Sequence, residues 1–109
     1  MAAKDHLNRY LPLTEATYYI LLALVDPLHG YGVMQKVETI SRGKVKIGPG
    51  TLYGAFSSLE KEGLIVMVSE EERRKSYTLT QKGRQVLREQ IARLEMMTRS
   101  GLDIADRLA

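Results

Sequence analysis

The chain is organised around one stretch, Gly48-Pro-Gly-Thr-Leu-Tyr-Gly-Ala-Phe-Ser-Ser-Leu-Glu-Lys-Glu-Gly63. Its apolar residues recur at the spacing of one helical face, formed by Leu52, Ala55, Phe56 and Leu59. Pro49 suits the first turn of a helix, because an amide hydrogen there would have no partner within the helix. Gly63 can end the helix in a left-handed conformation that brings Leu64 against Leu59. The stretch therefore predicts a helix packed along one side.

The opposite side of this helix carries small residues and a single cation. They are Gly50, Gly54, Ser57 and Lys61, with Tyr53 on the flank. A helix that faces only solvent normally shows more Glu and Lys. The pattern indicates a face that can approach a partner closely, and an ordinary amphipathic helix is the alternative.

Length and composition are those of a small globular protein. The 109 residues suffice for one domain and an appended element, and 44% hydrophobic residues suffice for a core. The absence of cysteine excludes disulfides and thiolate metal sites, and His6 and His29 are far apart, so we expect no metal and no cofactor. The polar N-terminus has no signal peptide, and the apolar run at residues 18–25 is too short to span a bilayer. We expect a cytoplasmic protein without membrane contact.

Positive charge is concentrated in the middle of the chain. The net charge is +3, and residues 36–88 contain 11 Lys and Arg against 6 Glu and no Asp. Such a region is typical of proteins that bind nucleic acid, although many solvated surfaces share it.

Two helices are predicted before the central stretch. Thr14 is a suitable N-cap for the first, which is apolar nearly all round and must end by Asp26 because Pro27 follows. The next residues, His29-Gly-Tyr-Gly32, predict a turn.

The second helix is set up by Val33, Val37 and Ile40 and stops at Gly43. Residues 44–47, Lys-Val-Lys-Ile, alternate and predict a minor strand or an extended linker. Three helices with a short connection before the third form a helix-turn-helix.

A β-hairpin is predicted after the third helix. Residues 64–69 favour a strand, residues 70–75 form a charged tip, and residues 76–80 alternate strictly, with Tyr77 and Leu79 on one face. The order of elements is that of a winged helix-turn-helix, which is a DNA-reading shape.

Three consecutive cations, Arg73, Arg74 and Lys75, lie at the predicted tip. They can protect an edge strand from aggregation, or they can contact phosphates. Their position directly after a helix with a small-residue face favours phosphate contact.

Five motifs occur in one order along the chain: Gly30-Tyr-Gly-Val-Met-Gln-Lys-Val37, Gly48-Pro-Gly-Thr-Leu-Tyr53, Ser58-Leu-Glu-Lys-Glu-Gly-Leu-Ile65, Arg74-Lys-Ser-Tyr77 and Leu79-Thr-Gln-Lys-Gly83. Together they resemble the PadR-type transcriptional regulators over residues 13–87. The resemblance implies a dimeric winged-helix repressor, often released from DNA by a small hydrophobic or phenolic effector. The short C-terminal segment is similar to that of the small subgroup with a single dimerisation helix.

A long C-terminal helix is predicted from the N-cap Thr80 onward. At about 1.5 Å per residue it would extend about 45 Å, further than the domain needs. We expect its apolar residues to form a dimer interface: Leu87, Ile91, Leu94, Met97, Leu102 and Leu108. The alternative is a helix packed back on its own domain.

The sequence thus predicts a mainly α fold with a small β-hairpin. Residues 1–80 would form a winged helix-turn-helix domain, and residues 81–109 would form a C-terminal dimerisation helix. The residues expected to contact DNA are Lys46, Pro49, Gly50, Thr51, Tyr53, Ser57, Arg73, Arg74 and Lys75.

The expected partner is double-stranded DNA with an inverted-repeat operator. A two-fold homodimer would place two third helices in major grooves about 34–36 Å apart. A small effector would bind in apolar space between the tyrosine-bearing first helices and the C-terminal helices. The alternative function is a winged-helix protein-interaction module. An enzyme is excluded, since His, Asp and Glu show no catalytic or metal-binding spacing.

Overall fold

The computed structural model describes residues 7–109, and the predictions made for the N-terminus, including His6, lie outside this part of the chain. Its elements, in order, are a 3₁₀ turn at Asn8–Tyr10, α1 at Glu15–Ala23, β1 at Leu28–His29, α2 at Gly30–Ile40, α3 at Pro49–Lys61, β2 at Ile65–Glu71, β3 at Arg74–Leu79, α4 at Gln81–Ala105 and a 3₁₀ turn at Asp106–Leu108. The strands within the described chain form one antiparallel sheet in the order β1–β3–β2. The winged helix-turn-helix with a long C-terminal helix is confirmed.

Helix α1 is the buried centre of the domain, as its sequence predicts. The hydroxyl of Thr14 accepts the N–H of Thr17 at 3.1 Å and caps the helix. Ile20, Leu21 and Leu24 are fully buried, which agrees with a helix that is apolar nearly all round.

Helix α3 has the start, face and end that its sequence predicts. Pro49 is its first residue, and Leu52, Phe56 and Leu59 are buried. At its end the N–H of Leu64 donates to the carbonyl of Leu59 at 2.9 Å, while Gly63 has a φ of +78°. These features form a Schellman stop, in which a left-handed glycine lets the chain satisfy the last carbonyls.

The predicted turn at residues 29–32 is wrong, because helix α2 already begins at Gly30. His29 caps it: its Nδ1 accepts the N–H of Gly32 at 3.1 Å. His29 also pairs with Ser76 in the sheet, so the short strand β1 ends where the helix starts. Ile40, which the spacing assigns to the buried face of this helix, is 40% exposed.

The connection from α2 to α3 is an extended linker without strand pairing. Its sequence alternates as predicted, since Val45 and Ile47 are buried while Lys44 and Lys46 are exposed. The buried hydroxyl of Ser41 accepts the N–H of Val45 at 3.0 Å and fixes the first bend.

The wing ends in a two-residue turn at Glu72–Arg73, with φ values of +50° and +69°. Positive φ at both positions is the mark of a type I′ turn, whose twist matches that of the strands. The predicted charged tip at residues 70–75 is therefore too long. Its outer residues lie in the strands, where Glu71 faces Arg74, and such opposite charges favour pairing.

Strand β3 anchors the wing to the helices. Tyr77 and Leu79 are buried, as their alternation predicts. The N–H of Leu79 and the hydroxyl of Thr78 both donate to the carbonyl of Leu24, at 3.1 Å and 2.9 Å. The sheet is therefore joined directly to the end of α1.

Helix α4 begins at the N-cap Thr80, whose hydroxyl accepts the N–H of Gly83 at 3.0 Å. Its first half packs on the domain, and its second half extends away from it, so that the longest dimension of the molecule is 55 Å. A Cβ at Gly83 would collide with the carbonyl oxygen of Leu64, so only glycine allows this close approach. The predicted boundary after residue 80 marks the start of α4, whereas packing on the domain continues to Gln90.

Candidate nucleic-acid interface

The outward face of α3 is exposed and consists of small residues. Gly50, Thr51, Gly54 and Ser57 are all open to solvent. A Cβ at Gly50 or Gly54 would meet nothing within 4 Å, so packing within the described chain does not require glycine there. The absence of side chains instead lets an external partner approach the helix backbone.

The N-terminal end of α3 suits an anionic partner. Its cap residue, Gly48, makes no side-chain cap, and its first turn contains no acidic residue. The unpaired amides and the dipole of such an end favour negative charge. The predicted residues Lys46, Pro49, Gly50 and Thr51 are exposed here.

An aromatic chain links this helix to the wing. The rings of Tyr53 and Phe56 meet edge to face with their centroids 6.1 Å apart, and Phe56 contacts Tyr77 of β3 with a centroid separation of 4.8 Å. Phe56 and Tyr77 are buried, whereas Tyr53 is 54% exposed. The exposed ring on α3 is therefore held in a fixed position relative to the wing.

A cleft of about 440 Å³ lies between α3 and the wing. Five of the nine residues predicted to contact DNA line it: Tyr53, Ser57, Arg73, Arg74 and Lys75. The other four, at the start of α3 and in its linker, do not line it. The predicted contact residues therefore form two groups, one in the cleft and one at the adjoining N-terminal end of α3.

The cations of the wing are available to an outside partner. Arg73, Arg74 and Lys75 are exposed, and within residues 7–109 none of them forms an ion pair with a carboxylate. Glu60 is the acidic residue that lines the cleft. Cations that are not already paired can contact phosphates without first giving up an internal partner.

Three residues that the sequence did not point to, His29, Gly30 and Tyr31, also line the cleft. Gly30 lies beneath Tyr53, and a Cβ there would be 2.7 Å from the Tyr53 hydroxyl oxygen. The sequence contained one indication of this position. His29 lies three residues before Gly32, which is the spacing between an N-cap side chain and the backbone amide that it caps.

A second exposed surface lies on the part of α4 beyond Gln90, which is the free half of this helix. Ile91 is 40% exposed, and Met97, Leu102 and Leu108 are more exposed still. Leu94 is half-buried, and Met96 and Ile104, which were not predicted, are exposed as well. The exposed apolar surface is wider than the predicted stripe.

The structure corrects the role predicted for Leu87. The spacing assigns this residue to a dimer interface, but only 5% of it is exposed and it packs in the core of its own protomer. A second copy could bury almost no further area of this side chain. The apolar residues up to Leu87 therefore pack within the protomer, and those from Ile91 onward are available to a partner.

The tyrosines of α1 lie partly buried. The rings of Tyr18 and Tyr19 meet edge to face, with centroids 5.5 Å apart. Burial, together with the neighbouring Tyr19, raises the pKa of the Tyr18 phenol above its ordinary value. An effector pocket between α1 and α4 stays a prediction.

The family comparison agrees with this arrangement. The model of the transcriptional regulator PadR-like family matches residues 18–89, which include most of the winged helix, from α1 to the docked half of α4. The chain belongs to the PadR-like family. The match ends almost where α4 leaves the domain.

The PadR-like family is a family of transcriptional regulators and not of enzymes, and two proteins similar to this chain are themselves named as transcription regulators. The chain is 32% identical to the transcriptional regulator YqjI of Escherichia coli over 72 residues, which are 66% of this chain and 35% of YqjI. The chain spans about a fifth to a third of the lengths of the curated relatives it matches.

Solved structures share the fold along nearly the whole chain. A PadR-like transcription factor from Bacteroides fragilis is 25% identical with a TM-score of 0.69, covering 95% of this chain and 99% of its own. BpsR of Bordetella bronchiseptica, whose DNA binding is regulated by 6-hydroxynicotinic acid, is 24% identical with a TM-score of 0.66. That match covers 91% of this chain and 73% of BpsR.

Two further features bear on the kind of site. Within residues 7–109, no group of three or more His, Asp or Glu could hold a metal ion. None of the helices in this part of the chain is both long enough and apolar enough to cross a membrane.

Proposed function

We propose that this PadR-family regulator is a homodimeric, sequence-specific repressor that binds an inverted-repeat operator and leaves it when a small hydrophobic or phenolic effector binds. The observation that carries the proposal is the continuity of one surface. The open face of α3 adjoins a cleft whose other wall carries three cations without carboxylate partners in the described chain. Such a surface can place a helix in a groove while the wing contacts the backbone.

Base reading falls to the first turns of α3. Thr51 and Tyr53 are exposed there, so that their hydroxyls can reach base edges or phosphates. The wing cations, together with Lys46, supply affinity that is independent of sequence. DNA binding would take place in the cytoplasm.

Dimerisation falls to the free half of α4. Its exposed apolar residues have no cover within the described protomer, and a two-fold pairing of this helix would bury them. Two α3 helices would then reach major grooves on the same side of a duplex, about 34–36 Å apart. The half-sites of the operator would lie about one helical turn apart.

Repression and effector release rest on the family resemblance and on BpsR, a regulator of this fold whose DNA binding responds to 6-hydroxynicotinic acid. The α4 interface is the place where an effector would act. A small rotation there changes the distance between the two α3 helices.

The test begins with selection of bound duplexes from random DNA, followed by affinity measurements at several salt concentrations. Replacing Arg73, Arg74 and Lys75 by Gln should weaken binding to every sequence and lower the salt slope by about 0.9 for each phosphate that is no longer neutralised. The matched control replaces Lys36, Arg93 and Arg107 by Gln, which removes the same charge from positions outside the cleft and away from the Ile91, Leu94 and Leu102 side of α4. An equal loss of affinity in both variants would indicate net charge alone.

Failure to enrich any duplex would favour the alternative function, a protein-interaction module. Competition on heparin separates the two functions quickly, because a DNA-binding surface should release heparin when duplex DNA is added. A chain that stays on heparin in the presence of excess duplex contradicts the proposal.

A further inference from the structure

We propose that His29 and Arg74 together hold one backbone phosphate of the bound duplex, at the junction of α2, β1 and the wing. This inference rests on the proposed function and adds to it a neutral phosphate ligand outside α3. Its basis is the arrangement of hydrogen atoms on two side chains that lie side by side at the edge of the cleft.

The proton of the His29 ring can be placed from one contact. The N–H of Gly32 donates to Nδ1 of His29 at 3.1 Å. A backbone amide can only donate, so Nδ1 must carry a lone pair. In the neutral ring the proton is then on Nε2. The capping bond therefore fixes the tautomer.

This tautomer makes the outer edge of the ring a donor. Nε2 of His29 lies 3.5 Å from Nη1 of Arg74, and a guanidinium has donors but no acceptor. The two groups cannot hydrogen-bond to each other, because both carry hydrogen and neither offers a lone pair. An anionic oxygen beside both nitrogens would accept from each.

The His29 ring is held by its own contacts, and the Arg74 side chain is carried on a paired strand. His29 is fixed by its cap on α2 and by its pairing with Ser76 in β3, and Arg74 is two residues earlier on the same strand. The junction therefore presents one fixed donor, His29, beside the Arg74 side chain, and no loop has to be ordered. Such preorganisation limits the entropy cost of binding.

The surroundings favour a phosphodiester of duplex DNA. Lys75 and Arg73 line the same cleft and add positive charge, with Glu60 as the opposing carboxylate. The cleft also contains Tyr53, so a strand that passes the His29–Arg74 pair continues along the open face of α3. A phosphate here would belong to the groove read by the same protomer.

The test uses a substitution that separates the cap from the donor. In His29→Asn the amide oxygen replaces Nδ1 as a cap acceptor, and Asn is a preferred N-cap, but no group replaces Nε2. The melting temperature should stay near that of the native protein. Affinity for a short random-sequence duplex, followed by fluorescence anisotropy, should fall about tenfold, the scale of one hydrogen bond to a charged group.

Salt dependence distinguishes the two partners. Because neutral His29 releases no counterion, His29→Asn should leave the salt slope unchanged. Arg74→Gln should weaken binding and also lower the slope by about 0.9. The double variant should weaken binding by less than the product of the two single effects, because both groups serve one phosphate.

Each outcome has a separate meaning. If the native protein binds no duplex, the proposed function fails. If it binds but His29→Asn has native affinity, or if the two single effects multiply fully, only the inference fails. Inorganic phosphate serves as a further probe at constant ionic strength. If the NMR signals of the His29 ring shift on titration with inorganic phosphate and saturate at low concentration, the site binds free phosphate, and the proposed DNA contact is overturned.

Discussion

The two halves of α4 have the same apolar spacing and opposite surroundings. In the first half, Val86 and Leu87 are buried in the core of the domain. In the second half, Ile91 is 40% exposed and Leu102 is 68% exposed. One helix thus has an apolar face that is covered in its first half and exposed in its second half. The spacing of apolar residues predicts that a helical face will be covered, but not by what.

Hydrogen bonds show the same division. In the first half, the amino group of Lys82 donates to the carbonyl of Glu62 at 3.0 Å, and Arg84 donates to that of Val25 at 3.2 Å. Gln90 closes the series, because its Oε1 accepts the N–H of Leu13 at 2.8 Å. Beyond it, no side chain of α4 hydrogen-bonds to another element of residues 7–109. The second half is therefore free to serve a second copy.

The largest effect is expected from two acidic substitutions in the free half. Leu94→Glu with Leu102→Glu should convert the proposed dimer into a folded monomer. Four side chains leave a two-fold interface, each worth about 1.5–3 kcal/mol, so association should weaken by roughly 6 kcal/mol or more. Sedimentation equilibrium measures the dissociation, and circular dichroism checks that the monomer is folded.

The control for this variant is Arg93→Glu with Ser100→Glu, which also introduces two carboxylates, but on the side of the helix opposite Leu94 and Leu102. It should stay dimeric. Leu87→Glu is unsuitable as a test, because a charge at a residue with 5% exposure would unfold the protomer itself. A Leu94/Leu102 variant that stays dimeric would place the interface elsewhere.

A smaller effect is expected from adding one methyl group to each half. Gly83→Ala should destabilise the protein by about 2–3 kcal/mol, because its Cβ collides with the carbonyl oxygen of Leu64. Gly101→Ala, where a Cβ meets nothing within 4 Å, should stabilise α4 by about 0.8–1 kcal/mol through helix propensity. Urea denaturation of both variants measures the difference.

Either substitution can show that one half of α4 is not packed as described. Native stability of Gly83→Ala would mean that the first half of α4 is not held against Leu64. A weaker dimer in Gly101→Ala would show that a partner backbone passes close to this residue, so that the free half would be covered more tightly than its surface suggests.

The smallest effect concerns Tyr18, whose phenol has a raised pKa because of burial and the neighbouring Tyr19. The folded protein therefore holds this proton more tightly than the unfolded chain does. Its contribution to stability is complete below pH 10.0, the ordinary value, and disappears as the pH rises through the raised pKa. Tyr18→Phe should flatten the alkaline fall in stability, which urea denaturation at several alkaline pH values measures.

Ultraviolet titration of the tyrosines measures this pKa directly. If a second protomer covers α1 as well as α4, the pKa of Tyr18 should rise further at protein concentrations that favour the dimer. Independence of concentration would confine the interface to α4.

The parts of the fold that the sequence predicts well are fixed by local interactions. The start of α3 at Pro49 and its stop at Gly63 depend on neighbours within a few residues, so their residue types are sufficient evidence. The faces of β3 follow in the same way from strict alternation at Tyr77 and Leu79.

The missed features depend on distant partners. Leu28 and His29 form a strand only because Tyr77 and Ser76, almost fifty residues later, pair with them. The position of His29 in the cleft was missed for the same reason. Leu87 was assigned to a second copy because spacing alone does not show how much of α4 its own domain covers.

The aromatic chain from Tyr53 through Phe56 to Tyr77 gives α3 and the wing a fixed angle. If these ring contacts persist in the proposed DNA complex, the duplex would adapt its groove width and curvature to the protein. The energy of that deformation depends on base steps, including steps that no side chain touches. Part of the operator preference would then be encoded in the stiffness of DNA and not in contacts to its bases.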